Sequence, residues 1–127
     1  MLETRTDLVV RGALNGMAVR HRAVVDAIAN VETPGFVPKT VAFEEQLRSM
    51  RDAMLADPLH TAVSPQSLPT PTLTEAEGSA GRADGNTVSI DEQVVSLEIN
   101  ELSYQALTQA ARMRNEILHS VLTETPR

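Results

Sequence analysis

The side chains that could carry chemistry in this chain are three histidines, several acidic pairs and a scatter of serines and glycines. His21, His60 and His119 are far apart, and none belongs to a His-Glu-x-x-His arrangement, the spacing that turns two imidazoles toward one zinc ion. Cysteine is absent, which removes thiolate metal sites and disulfide frameworks together. Glu44/Glu45, Asp91/Glu92 and Glu98/Glu101 offer paired carboxylates of the kind used in acid–base catalysis. Each pair falls at a helix start or on a polar helical face, where solvation accounts for it. Gly78, Gly81 and Gly85 lack the Lys-Ser/Thr that completes a phosphate loop, and no serine sits in a nucleophile elbow. Met17, Met50, Met54 and Met113 read as apolar filler rather than thioether ligands. No catalytic residue, metal or cofactor is therefore expected.

The elements that carry these residues are helical. At 127 residues, with 42% hydrophobic side chains, the chain amounts to one domain at most. It has no Trp, one Tyr (Tyr104) and two Phe (Phe36, Phe43), which favours narrow helix–helix seams over a thick core. The net charge of −6 would repel a phosphate backbone, so nucleic acid is not an expected partner. Met1-Leu2-Glu3-Thr4-Arg5-Thr6-Asp7 is polar, so a Sec-type signal peptide is not expected. No run reaches the ~18 apolar residues of a membrane span, so membrane insertion is not expected either.

Val10, Leu14, Met17, His21, Val24, Ile28 and Val31 step alternately by four and three, a heptad seam with one polar member. Helix is expected over residues 8–31, with Arg11, Arg20, Arg22 and Asp26 solvated off the seam. His21 is expected to be a structural histidine at a helix–helix contact. Gly12 and Gly16 each cost ~1 kcal/mol relative to Ala and should fray the first turns. Pro34 and Gly35 then stop the helix. Proline lacks an amide hydrogen and disfavours a helical Thr33, and Pro-Gly suits the centre of a type II turn.

Val37-Pro38-Lys39-Thr40 reads as extended or irregular. Phe43, Leu47, Met50 and Met54 return at helical spacing, with Glu44 and Arg48 placed as a four-apart ion pair. From Asp57 to about Arg82, the cluster Pro58, Pro65, Pro69 and Pro71 among Ser, Thr and Gly reads as a mobile linker. Asp84-Gly85-Asn86 is a turn, and Ser89 and Glu92 have capping-box spacing for a helix over about 91–122. That helix carries two apolar stripes. One is Val95, Ile99, Leu102, Ala106, Ala110, Met113, Ile117 and Val121; the other is Val94, Leu97, Tyr104, Leu107, Ala111, Leu118 and Leu122. Two faces require two partners: the N-terminal helix can cover one, and the other calls for another chain.

Asp26-Ala27-Ile28-Ala29-Asn30-Val31-Glu32-Thr33-Pro34-Gly35-Phe36 resembles the aNNiANxxTPGY/F signature of bacterial flagellar rod and hook proteins. Asp84-Gly85-Asn86-Thr87-Val88 resembles the DGNxV element that precedes the C-terminal helix of that family. Tyr104-Gln105-Ala106-Leu107-Thr108-Gln109 and Phe43-Glu44-Glu45-Gln46-Leu47 look like one of its short proximal rod members; a neighbouring proximal rod protein of similar length is the alternative. The likeness covers roughly residues 8–47 and 84–122, and in the middle Asp57-Pro58-Leu59-His60 resembles a DPRH-like loop. It departs at Asp26 and Ala27, and at Phe36, which keeps the ring of the usual Tyr without its hydroxyl.

The resemblance implies a subunit exported without a cleaved signal by the flagellar type III apparatus and assembled within the periplasm into the proximal rod of the basal body. Its partners would be copies of itself, other rod proteins and the rod-adaptor protein at the inner-membrane ring. A cytoplasmic helical adaptor or chaperone is the reading from another class. The expected fold is all-α: long N- and C-terminal helices forming a coiled-coil pair, a short third helix, and a flexible, partly disordered middle. The expected division is 1–36, 37–83 and 84–127. The joint residues would be Asn30, Thr33, Pro34, Gly35, Phe36, Asp84, Gly85 and Asn86. The packing and assembly residues would be Val10, Leu14, Met17, Val24, Ile28, Ile99, Leu102, Tyr104, Leu107, Met113, Ile117 and Leu118.

Overall fold

The computed structural model describes residues 5–56, 70–76 and 83–123. Helix α1 (Arg5–Ala29) leads to strand β1 (Lys39–Ala42), helix α2 (Glu44–Ala56), strand β2 (Thr72–Glu75) and helix α3 (Ile90–Thr123). Most described residues are helical, as the periodicity predicts, and α1 and α3 form the most extensive contact. They run antiparallel: Asn86 meets the chain leaving α1, Asn100 meets Met17, and Arg114 meets Asp7 near the start of α1.

One correction concerns the middle of the chain. Residues 39–42, the first two of which are expected to be extended or irregular, form a strand. Residues 72–75, expected to lie within a linker, pair with it antiparallel in the register Lys39↔Glu75 to Ala42↔Thr72. The Thr40 and Thr74 hydroxyls meet across the ladder at 3.0 Å, and the Ala76 amide donates to the Pro38 carbonyl at 2.9 Å, extending the pairing. A minor two-stranded sheet thus joins the helices. Residues 57–69 and 77–82 of the expected linker, with His60 and Asp57-Pro58-Leu59-His60, lie outside the described residues.

The sheet is held on α1 through its one inward side chain. Val41 is buried between exposed neighbours and joins Ala23 and Phe43 in the core, with Met17, Val19 and Leu47 around them. Leu8, Ala13, Val24, Ala27 and Val88 are also buried. Small residues therefore supply much of the closest α1 packing, and Ala13, Ala23 and Ala27 lie deeper than Val10, Leu14, Met17 and Ile28, which are half-buried. This displaces the expected heptad seam toward its alanine flank. His21, expected in the helix–helix contact, is exposed.

Gly16 shows what small size achieves here. A Cβ built on it would collide with the Phe43 ring, so the missing side chain seats the aromatic against α1. The helix-propensity cost of that glycine is tied to packing.

Candidate functional site

The chain leaves α1 and enters α3 through one joint. Asn30 closes the last turn of α1: its Nδ2 donates to the Asp26 carbonyl at 2.8 Å, and its Oδ1 accepts from the Thr33 hydroxyl at 3.1 Å. The Phe36 amide reaches the Thr33 carbonyl at 3.3 Å across Pro34 and Gly35, and Gly35 has φ +70°, the arrangement of a type II turn. Asp84 Oδ1 accepts the Asn86 amide at 3.0 Å, and Gly85 between them has φ +79°. Both glycines occupy backbone space that L side chains rarely enter.

Main-chain and side-chain bonds then tie the two turns together. The Gly35 amide donates to the Asp84 carbonyl at 3.0 Å, and the Thr87 amide donates to the Phe36 carbonyl at 3.2 Å. Asn86 is fully buried, and its Nδ2 faces the carbonyls of Asn30, Val31 and Thr33 at 3.0, 3.0 and 2.7 Å. The Asn30 and Thr33 carbonyls also accept the Thr33 and Phe36 amides, so a residue more than fifty positions away adds a further donor to the turn that ends α1. Asn86 Oδ1 in turn accepts the Val88 amide at 2.7 Å, which sets the path into α3. The expected capping box is not formed. The Ser89 carbonyl takes the Gln93 amide at 3.0 Å, but its hydroxyl makes no bond to the Glu92 amide among the described residues.

A second polar contact fastens α2 to α1. Arg20, expected to be solvated, stacks over Phe43 with Cζ 4.6 Å from the ring centroid. It also pairs with Glu44 and donates to the Val41 carbonyl at 2.7 Å. Glu44 therefore pairs across elements with Arg20 rather than along its helix with Arg48, whose guanidinium lies 3.8 Å from Glu45. Partial burial pushes the Glu44 carboxyl up. The hydrogen bond from Arg20, the Phe43 and Glu44 amides and the Arg20 charge outweigh it, leaving its pKa below the ordinary value.

The long helix presents two faces. Toward α1 it turns Gln93, Leu97, Asn100, Leu107, Ala111 and Arg114, all buried or half-buried, at steps of four and three with one step of seven after Asn100. Away from α1 it exposes Val95, Ile99, Leu102, Met113, Ile117 and Val121, with Leu102 69%, Ile117 63% and Ile99 61% accessible. This face runs ~39 Å along the helix. Tyr104 and Leu118 lie partly exposed at its margins. Large contiguous apolar surface of this kind marks an interaction site.

Of the expected joint residues, Asn86 is buried, Asn30 and Phe36 are half-buried, and Thr33, Pro34, Gly35, Asp84 and Gly85 are exposed; all belong to the one joint. Asn100, Arg20 and Gly16 were not among the expected site residues. The gap at position 100 in the stripe between Leu97 and Tyr104 was the available sign of a polar seam residue. Arg20 and Gly16 left no such sign, because their contacts with Phe43 are tertiary. Among the described residues no three His, Asp or Glu side chains gather as metal ligands, and no helix is long and apolar enough to cross a membrane.

No protein-family model matches the chain. It is 26% identical over 117 residues to the flagellar basal body rod protein FlgB of Bacillus subtilis, covering 90% of each chain. It is 32% identical over 104 residues to the Escherichia coli protein of the same name, covering 73% of this chain and 75% of that one. A protein of that name from Shigella flexneri matches to the same degree. With the two turns meeting in one joint and a long helix that packs on α1 and exposes an apolar face, these relatives place the chain in the FlgB family of flagellar basal body rod proteins.

Proposed function

We propose that this protein is a structural subunit of the proximal rod, assembling helically with copies of itself and other axial proteins to support motility. The observation that carries this reading is the exposed apolar face of α3, from Val95 to Val121, on a helix whose other face is already occupied by α1. Burying such a face between subunits removes apolar surface from water at roughly 25 cal/mol per Å² and offsets the ordering of the helices. Ile99, Leu102, Tyr104, Met113, Ile117 and Leu118 are the α3 residues assigned to that contact. Val10, Leu14, Met17, Val24, Ile28 and Leu107 hold the pair that presents it.

In this reading residues 1–36 and 84–127 make the rod wall and residues 37–83 form its outer segment. The joint around Asn30–Phe36 and Asp84–Asn86 connects them. The subunit travels unfolded through the flagellar type III export apparatus and becomes rigid in the periplasm. There it docks on the rod-adaptor protein at the inner-membrane ring and on neighbouring rod proteins. Membership of the FlgB family supports this assignment.

Deleting the gene tests it. The expected result is loss of swimming and basal bodies without a rod beyond the inner ring, restored by the wild-type gene but not by one carrying Ile99→Ser and Leu102→Ser. Normal swimming in the deletion strain would overturn it.

A further inference from the structure

Asn100 occupies the seam between α1 and α3 at a position where the heptad spacing calls for an apolar side chain. It lies three residues after Leu97 and seven before Leu107, and among the described residues of α3 it is the buried one. Its Nδ2 donates to the Met17 carbonyl at 3.0 Å. Because that carbonyl can only accept, the bond fixes which way the amide points. The Oδ1 is buried and has no hydrogen-bond partner among the described residues. Grooves of about 360 and 460 Å³ flank the residue, the first beside His21 and Tyr104 and the second beside Phe43 and Ile99.

A buried amide with an unmet acceptor holds two helices together less well than leucine would in the same place. What it supplies is direction. Apolar side chains pack at several offsets along a heptad seam, whereas an amide is satisfied only where the facing backbone is within reach. Next to Met17, α1 carries the small residues Gly16 and Ala18. A slide of one heptad would replace Met17 by Val10 or Val24, and Ala18 by Arg11 or Val25, placing larger or branched side chains around the carbonyl.

Asn100 is also the middle of three polar contacts along the pair. Asn86 holds the chain leaving α1, Asn100 holds Met17, and Arg114 is paired with Asp7. Asn86, Asn100 and Arg114 follow one another at intervals of 14 residues, two heptads each, which places Asn100 and Arg114 ~21 Å apart along α3.

We propose that Asn100 is a positioning residue that sets the register of the α1–α3 pair. It trades stability for a single axial offset, and so fixes the height of the exposed α3 face relative to the joint. This role belongs to the folded chain alone, with or without rod partners.

The absence of native cysteine allows a clean test by electron–electron distance measurement between spin labels at Asn15→Cys and Gln109→Cys, both on exposed positions. With Asn86→Ala loosening the joint, a single distance is expected. Adding Asn100→Leu should produce a second population displaced by up to ~10 Å, the rise of one heptad. One unchanged distance in that variant would overturn the proposal. Asn100→Leu alone should raise the thermal midpoint by about 2–8 °C, and a midpoint below wild type would overturn it. If the combined variant loses its helical signal, the midpoint of the single variant decides.

Discussion

The Asn86 side-chain amide lies 2.7 Å from the Thr33 carbonyl, joining the turn that enters α3 to the turn that leaves α1. Asn86 is fully buried, also faces the Asn30 and Val31 carbonyls, and is the acceptor for the amide of buried Val88. Asn86→Ala should therefore destabilise the chain by about 1–3 kcal/mol, the usual range for leaving a buried polar group unsatisfied. Asn86→Asp, similar in size but without the donor, should cost at least as much. Urea unfolding followed by circular dichroism measures both, and a wild-type midpoint for Asn86→Asp would contradict this account of the joint.

Gly35 separates backbone conformation from packing. A Cβ there would meet nothing within 4 Å, yet φ is +70°. Gly35→Ala should cost about 1–2 kcal/mol from the left-handed conformation alone, while Gly35→Asn, which tolerates that region better, should cost less. The order Gly, Asn, Ala in thermal midpoint checks it.

Gly16→Ala sets two effects against each other. Helix propensity favours Ala by about 1 kcal/mol, but the new methyl group collides with the Phe43 ring, and overpacking costs about 1–3 kcal/mol. Net destabilisation is expected. Phe43→Leu should be less harmful in the Gly16→Ala background than in wild type, a coupling that a double-mutant cycle of urea midpoints reads directly.

Glu44 gives the fold a pH dependence of defined sign. Its pKa is held below the ordinary glutamate value in the folded chain, so its contribution is fully present above the unfolded pKa and is lost as pH falls through the folded one. The stability gap between wild type and Glu44→Gln should be widest near neutral pH and shrink through the acidic range. Added salt should narrow it as well, because the Arg20–Glu44 pair is partly exposed. Urea midpoints at stepped pH measure the gap, and a gap that widens on acidification would contradict the assigned pairing.

The helices were legible because their periodicity is local. Leu14, Met17 and Val24, then Phe43, Leu47 and Met50, then the two stripes of α3, each repeat within a few turns. Pro34 and Gly35 marked the stop for equally local reasons. The strand at Thr72–Glu75 was hidden because it is four residues long, follows the proline cluster and takes its pairing from residues thirty or more positions earlier. The joint was readable as two turns, but the reach of Asn86 to Asn30, Val31 and Thr33 is a property of the folded pair. Arg20 looked like a solvated charge because neither the Phe43 ring nor the Glu44 carboxylate is near it in the chain.

The claim that the outer face of α3 is the assembly surface is open to direct test in the rod itself. A photo-crosslinking amino acid replacing Leu102, on the exposed face, should give adducts between neighbouring rod subunits in isolated basal bodies. The same amino acid replacing Leu107, half-buried toward α1, should react within its own chain. Intersubunit adducts from position 102 and intrachain reaction at 107 are the predicted result; in assembled rods, position 102 yielding no intersubunit adduct would contradict the account.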